Sequence, residues 1–78
     1  MDPVADRVGN DIRRHRFERN EMTQQELADA VGCSRQTIVM LEQERYNPSL
    51  ALAMRIARVF GARVGELFWL EDDGGAED

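Results

Sequence analysis

The sequence predicts an all-α domain, a compact bundle of about five short helices, and three observations carry that prediction. Apolar residues recur at helical spacing in short blocks, with Leu27 and Val31, then Ile38 and Leu41, then Leu52, Ile56 and Phe60. Each block is bracketed by residues that start or stop helices: Thr23, Ser34 and Ser49 before, Gly32 and Gly61 after. The joint between the first two blocks is only Gly32 and Cys33, so the helices on either side must cross steeply.

In chain order, residues 1–5 carry no apolar period and are expected to form a loose arm. A first helix is expected from about Asp6 to Arg19, with Val8 and Ile12 one turn apart on its inner face and His15 half-buried in packing. Asn20, Glu21 and Met22 connect it to the second helix. There Thr23 and Glu26 form a capping box that sets the start at Gln24. Gly32, free to adopt a left-handed conformation, ends that helix, and the Ser34 hydroxyl caps the third. Leu27, Val31, Ile38 and Leu41 face the core, with Ala28 where the two helices come closest. At about 100° per residue, Arg35, Gln36, Val39, Met40 and Gln43 fall on the opposite arc.

Glu44 to Pro48 reads as a loop, because Pro48 disfavours helical geometry at Asn47. Ser49 caps a fourth helix that runs to about Phe60, with Leu52, Ala53, Ile56, Ala57 and Phe60 inward. A short fifth helix near Val64 to Phe68 places Val64, Leu67 and Phe68 on the core, weakened by Gly65. Residues 1–70 are expected to be one domain. Glu71 to Asp78 is expected to be an acidic, disordered tail.

Seventy-eight residues build one small core, marginal alone unless stapled or oligomeric. Cys33 is the only cysteine, so an intramolecular disulfide is excluded and a reducing, cytoplasmic setting is expected. No run suits a signal peptide or a membrane span. The net charge of -5 divides unevenly: Arg7 to Leu70 holds ten Arg against eight acids, and the remaining seven acids lie at Asp2, Asp6 and from Glu71 onward. The terminal acidity weakens long-range attraction to phosphates without excluding them as partners. There is no Lys, a pattern consistent with high genomic GC or with adaptation to high salt.

The stretches MTQQELA, VGCSRQTI and YNPSLALAMRIARVFG, over roughly Asn10 to Phe68, resemble the phage repressor and Cro family of helix-turn-helix proteins, also called the xenobiotic-response-element family. Ala28, Gly32, Ile38 and Leu41 match its spacing. The resemblance implies a lambda-repressor-like fold, with the second and third helices forming the helix-turn-helix, and a transcriptional regulator, more simply a repressor, whose partner is double-stranded DNA. A major groove admits one helix, read by side chains near its amino end. Gln36 is the first candidate for base reading, since Gln bonds bidentately to adenine, and Arg35 the second, through guanine. Val39 and Met40, one turn further along, suit thymine methyl groups. By the same resemblance Gln24 contacts phosphate beside the helix amino terminus, and Arg45, Tyr46 and Asn47 form a backbone-contacting loop. Ser34, Thr37 and Gln43 join that phosphate-contacting set.

The resemblance also implies a structural ion pair between Arg16 and Glu42, and a homodimer. The dimer contact is expected at Phe68, Trp69 and Leu70, three consecutive large apolar residues of which a short helix can bury only one or two. Trp69 is the residue expected to stay exposed, and an extended segment pairing with its mate is one way to use it. A monomer with Trp69 folded over the first or fourth helix is the alternative. The alternative function is an antitoxin-like or coactivator-like module that uses the fold to bind a protein. No catalytic residues are assigned, because Ser34, His15 and the scattered carboxylates supply no nucleophile with a matched base. No metal, cofactor or small-molecule effector is implied. Cys33, beside a helix amino terminus, is either a redox switch or a small residue tucked into the turn.

Overall fold

The computed structural model describes residues 6–71. The expected loose arm at residues 1–5 and all but the first residue of the expected acidic tail lie outside them. The chain runs β1 (Val8–Asn10), α1 (Ile12–Glu18), α2 (Gln24–Val31), α3 (Arg35–Glu42), α4 (Leu50–Phe60), α5 (Val64–Leu67) and β2 (Phe68–Leu70). Five helices form the bundle, as expected. A two-stranded antiparallel ribbon, β1 against β2, is added to it. No helix among the described residues is long and apolar enough to cross a membrane.

The helix starts and stops follow local chemistry. Thr23 Oγ1 accepts from Glu26 N–H at 3.0 Å while the Glu26 carboxylate accepts from Thr23 N–H at 2.8 Å, the reciprocal capping box. Ser34 and Ser49 cap α3 and α4 through the amides of Thr37 and Leu52, both at 3.1 Å. Gly32 and Gly61 take the left-handed conformation at φ 79° and 63°, where an L side chain is strained.

The core is the set foreseen from spacing: Ile12, Leu27, Ala28, Val31, Ile38, Leu41, Leu52, Ala53, Ile56, Ala57, Leu67 and Phe68 are buried. Phe60 and Val64 pack half-buried against it. His15 is half-buried too, its ring 5.4 Å from that of Phe60 and its Nδ1 2.9 Å from the Asp11 carbonyl oxygen.

Two boundaries differ from expectation. The first helix does not begin at Asp6: Val8 to Asn10 is a strand, and the helix starts at Ile12. Gly9 and Asn10 are poor helix residues, and the Asn10 carboxamide oxygen accepts from Ile12 N–H at 3.1 Å, the side-chain turn that redirects a chain. Val8 therefore reaches the core from a strand rather than from a helical turn. The fifth helix stops at Leu67, and Phe68 is already extended at φ -129°.

Extension lets Phe68 to Leu70 pair with the chain's own amino-terminal segment, Val8 opposite Leu70, Gly9 opposite Trp69 and Asn10 opposite Phe68. Alternation along the strand then buries Phe68 and turns Trp69 to the outer face. The indole lies over Gly9, where a Cβ would collide with its Nε1 and with the Glu71 carboxylate. Trp69 thus folds over its own ribbon, not over α1 or α4.

Candidate nucleic-acid interface

The joint between α2 and α3 is fixed from three sides. Ala28 O accepts from both Gly32 N–H at 2.9 Å and Cys33 N–H at 3.0 Å, closing the helix end. Arg55, reaching across from α4, donates from Nε to Val31 O at 2.9 Å and satisfies another of the last carbonyls of α2. Spacing did not reveal that role, because only the fold brings Arg55 to the end of α2. Beyond the joint, Ile38 and Leu41 turn inward and hold α3 against α2.

What α3 leaves outside is its amino-terminal polar pair. Arg35 and Gln36 are exposed, and their side chains make no hydrogen bond or ion pair to the other described residues. Val39 and Met40 are half-buried, and Gln43 is exposed. The Ser34 hydroxyl, engaged as the cap, also lies 3.0 Å from Thr37 Oγ1, so these two hydroxyls orient each other at the helix entrance. Arg45 and Tyr46 are exposed in the loop that follows.

A buried polar cluster sets the near end of α2. Arg16 is 7% exposed and its guanidinium grips Glu42 bidentately, Nε to Oε2 at 2.7 Å and Nη2 to Oε1 at 3.0 Å. Its remaining nitrogen donates from Nη1 to Met22 O at 2.7 Å. The turn that presents that carbonyl runs through Asn20 and Glu21 at φ 60° and 55°, left-handed values uncommon for residues with side chains. Glu42 Oε1 also accepts from Gln24 Nε2 at 3.1 Å. One carboxylate therefore ties α1, the amino end of α2 and the carboxyl end of α3 together, and orients the Gln24 amide beside the free amides of its helix. A groove of about 680 Å³ opens here, and Arg13, Phe17, Gln24, Val39 and Gln43 are among the residues that line it. The Arg13 guanidinium lies 5.2 Å from the Phe17 ring centre.

Asn47, in the loop after α3, is exposed and also serves within the chain. Its carboxamide bridges to β1, accepting from Val8 N–H at 3.1 Å and donating to Asp6 O at 2.9 Å, so both its ends face the strand. Phe68 is buried, while Trp69 is 44% and Leu70 65% exposed.

Cys33 is partly buried at the joint. Burial pushes its thiol above the ordinary value, and Arg55 only partly offsets this, so at neutral pH it stays protonated and a poor nucleophile. The Cys33→Ser protein is accordingly expected to respond to peroxide in a DNA-binding assay as wild type does. Loss of a peroxide response on substitution would establish a switch.

Two helices meeting at a left-handed glycine, the second presenting exposed polar side chains from its amino end, define a helix-turn-helix protein. The chain belongs to the helix-turn-helix family of the phage repressor and Cro type, whose profile, described as Helix-turn-helix, matches residues 14–67. It is 60% identical over 52 residues to an HTH-type transcriptional regulator of Archaeoglobus fulgidus, covering 67% of this chain and 74% of that one. A regulator of the same description from Methanothermobacter thermautotrophicus is 53% identical over 64 residues, covering 81% and 91%. The HTH-type regulator YgzD of Bacillus subtilis is 39% identical over 51 residues, covering 65% and 77%.

Proposed function

We propose that this chain is a sequence-specific, double-stranded DNA-binding regulator of transcription that lays α3 in the major groove. The observation that carries the reading is the amino end of α3. Arg35 and Gln36 are exposed there, without partners among the described residues, on a helix whose other face is locked into the core. A long polar side chain so placed reaches base edges, with Gln36 reading adenine and Arg35 guanine. Val39 and Met40 lie further along to meet thymine methyls. Gln24, Ser34, Thr37, Gln43, Arg45 and Tyr46 hold the phosphates on either side, fixing orientation without carrying sequence. Repression is the simpler output, since occupying a promoter is enough. The setting is the cytoplasm, where such DNA lies.

The protein acts as a homodimer in this reading, through β2. In the ribbon the bonded pairs fall at Arg7 with Glu71, Gly9 with Trp69 and Asp11 with Leu67. Leu70 therefore turns its N–H and C=O to the outer edge, next to two exposed apolar side chains. A strand edge so flanked is a template for a second copy.

Selection of bound sequences from random duplex at stated salt tests the reading, and an enriched palindrome is the expected result. Failure to enrich any sequence would favour a protein partner instead. With the selected site in hand, Gln36→Ala is expected to lose about 1–3 kcal/mol of discrimination at one base pair. Gln24→Ala is expected to weaken all sites alike. Unchanged preference in the Gln36 variant across every operator substitution would remove it from the reading face.

A further inference from the structure

Three side chains fasten β1 to the carboxyl end of α3 and the loop after it. Asn10 Nδ2 donates to Leu41 O at 2.8 Å, in the last turn of α3. The Asn47 carboxamide holds Val8 N–H and Asp6 O. Arg7 pairs with Glu44 at 3.2 Å. Strand β1 is in turn laddered to β2, so α3, β1 and β2 form one connected path. The Asn47 amide imitates a peptide unit of a neighbouring strand, since it accepts from one backbone N–H of β1 and donates to a backbone oxygen two residues earlier.

We propose that Asn47, assisted by Asn10, is a positioning residue that fixes the angle between the recognition helix and β2, and so sets which half-site separation the dimer accepts. This rests on the dimeric DNA-binding reading above. A ribbon of two three-residue strands is not rigid by itself, and the twist between paired strands varies widely. A dimer joined at β2 would therefore hold its two recognition helices loosely unless β1 were also fastened to the helical body. The three side-chain links supply that fastening at points spread along β1.

Asn47 suits a clean test because its side chain lies at the exposed surface. Water can replace its partners in the variant, and the fold is expected to persist. Asn10→Ser is the second variant: a serine hydroxyl can still accept from Ile12 N–H but is too short to reach Leu41 O. The experiment compares wild type, Asn47→Ala and Asn10→Ser by sedimentation. It then measures their affinities for one selected half-site and for palindromes whose half-site separation is varied base pair by base pair.

Wild type is expected to sediment as a dimer and prefer one separation sharply. Both variants are expected to remain dimeric and to bind the single half-site within about twofold of wild type. At the preferred separation they are expected to lose about tenfold, a ratio equivalent to one well-formed hydrogen bond, so that the profile flattens. A profile as sharp as wild type in both variants overturns the proposal. So does a uniform loss on half-site and palindromes alike with the salt dependence unchanged, the mark of a lost contact between a neutral side chain and phosphate. A wild type that sediments as a monomer before any DNA is added overturns the dimer reading, and this proposal with it.

Discussion

Replacing Arg16 by Met is expected to lower the unfolding free energy by about 3–5 kcal/mol, because it strands the Glu42 carboxylate, whose side chain is only 11% exposed. Arg16 is 7% exposed, and every nitrogen of its guanidinium is engaged, two on Glu42 and one on Met22 O. Methionine fills similar space but offers Glu42 nothing, leaving Gln24 Nε2 as its remaining side-chain donor. A domain of this size has on the order of 4–12 kcal/mol in total, so the variant approaches the limit of folding. Urea denaturation checks this through the shift in midpoint at constant slope. A loss below about 1 kcal/mol would mean that the pair behaves as an exposed one. The double replacement Arg16→Met with Glu42→Leu is expected to be less damaging than the sum of its parts, since no charge is stranded. It should still weaken DNA binding, because Gln24 loses the acceptor that orients it.

Trp69→Ala is expected to weaken the proposed homodimer by about 2–4 kcal/mol, the range of a central aromatic anchor. In the single chain the indole already has a fixed seat over Gly9, with Nε1 donating to Glu71 at 3.2 Å, so little side-chain entropy remains to be lost when a second copy covers it. Leu70 beside it is the more exposed of the two. Sedimentation should find the variant folded and monomeric at concentrations where wild type is dimeric, with poor binding to palindromic duplex and ordinary binding to a half-site. Two recognition helices about 34–36 Å apart on one face of the duplex are what the palindrome requires. A wild type that remains monomeric at high micromolar concentration would remove the interface altogether. Gly9→Ala approaches the same question from beneath: the added methyl displaces the indole, and the dimer should weaken although Trp69 is intact.

What the sequence alone determined is whatever local chemistry decides. Capping boxes, serine caps and left-handed glycines act between residues three or four apart, so the limits of α2, α3 and α4 were legible from Thr23, Glu26, Gly32, Ser34, Ser49 and Gly61. The core stripes were legible for the same reason, because helical period alone assigns Leu27, Ile38, Leu41 and Ile56 to the inside. The candidate reading face followed as the complement of those stripes. The Arg16–Glu42 pair, 26 residues apart, was legible only through family resemblance; the structure supplied its burial and its third partner, Gln24.

Tertiary structure alone decided the ribbon and everything fastened to it. Its strands are three residues each, too short for alternation to stand out from a helical turn, and they come from opposite ends of the domain. Both also lie outside the span that the family profile matches. Val8 therefore read as helical until Phe68 to Leu70 lay beside it to accept its pairing. Asn47 read only as a loop residue, and its bridge to Val8, 39 residues earlier, came from the fold. The glycine and asparagine at positions 9 and 10 did carry a signal against helix. A strand, however, exists only by virtue of its partner, and no local pattern names a partner at the far end of the chain.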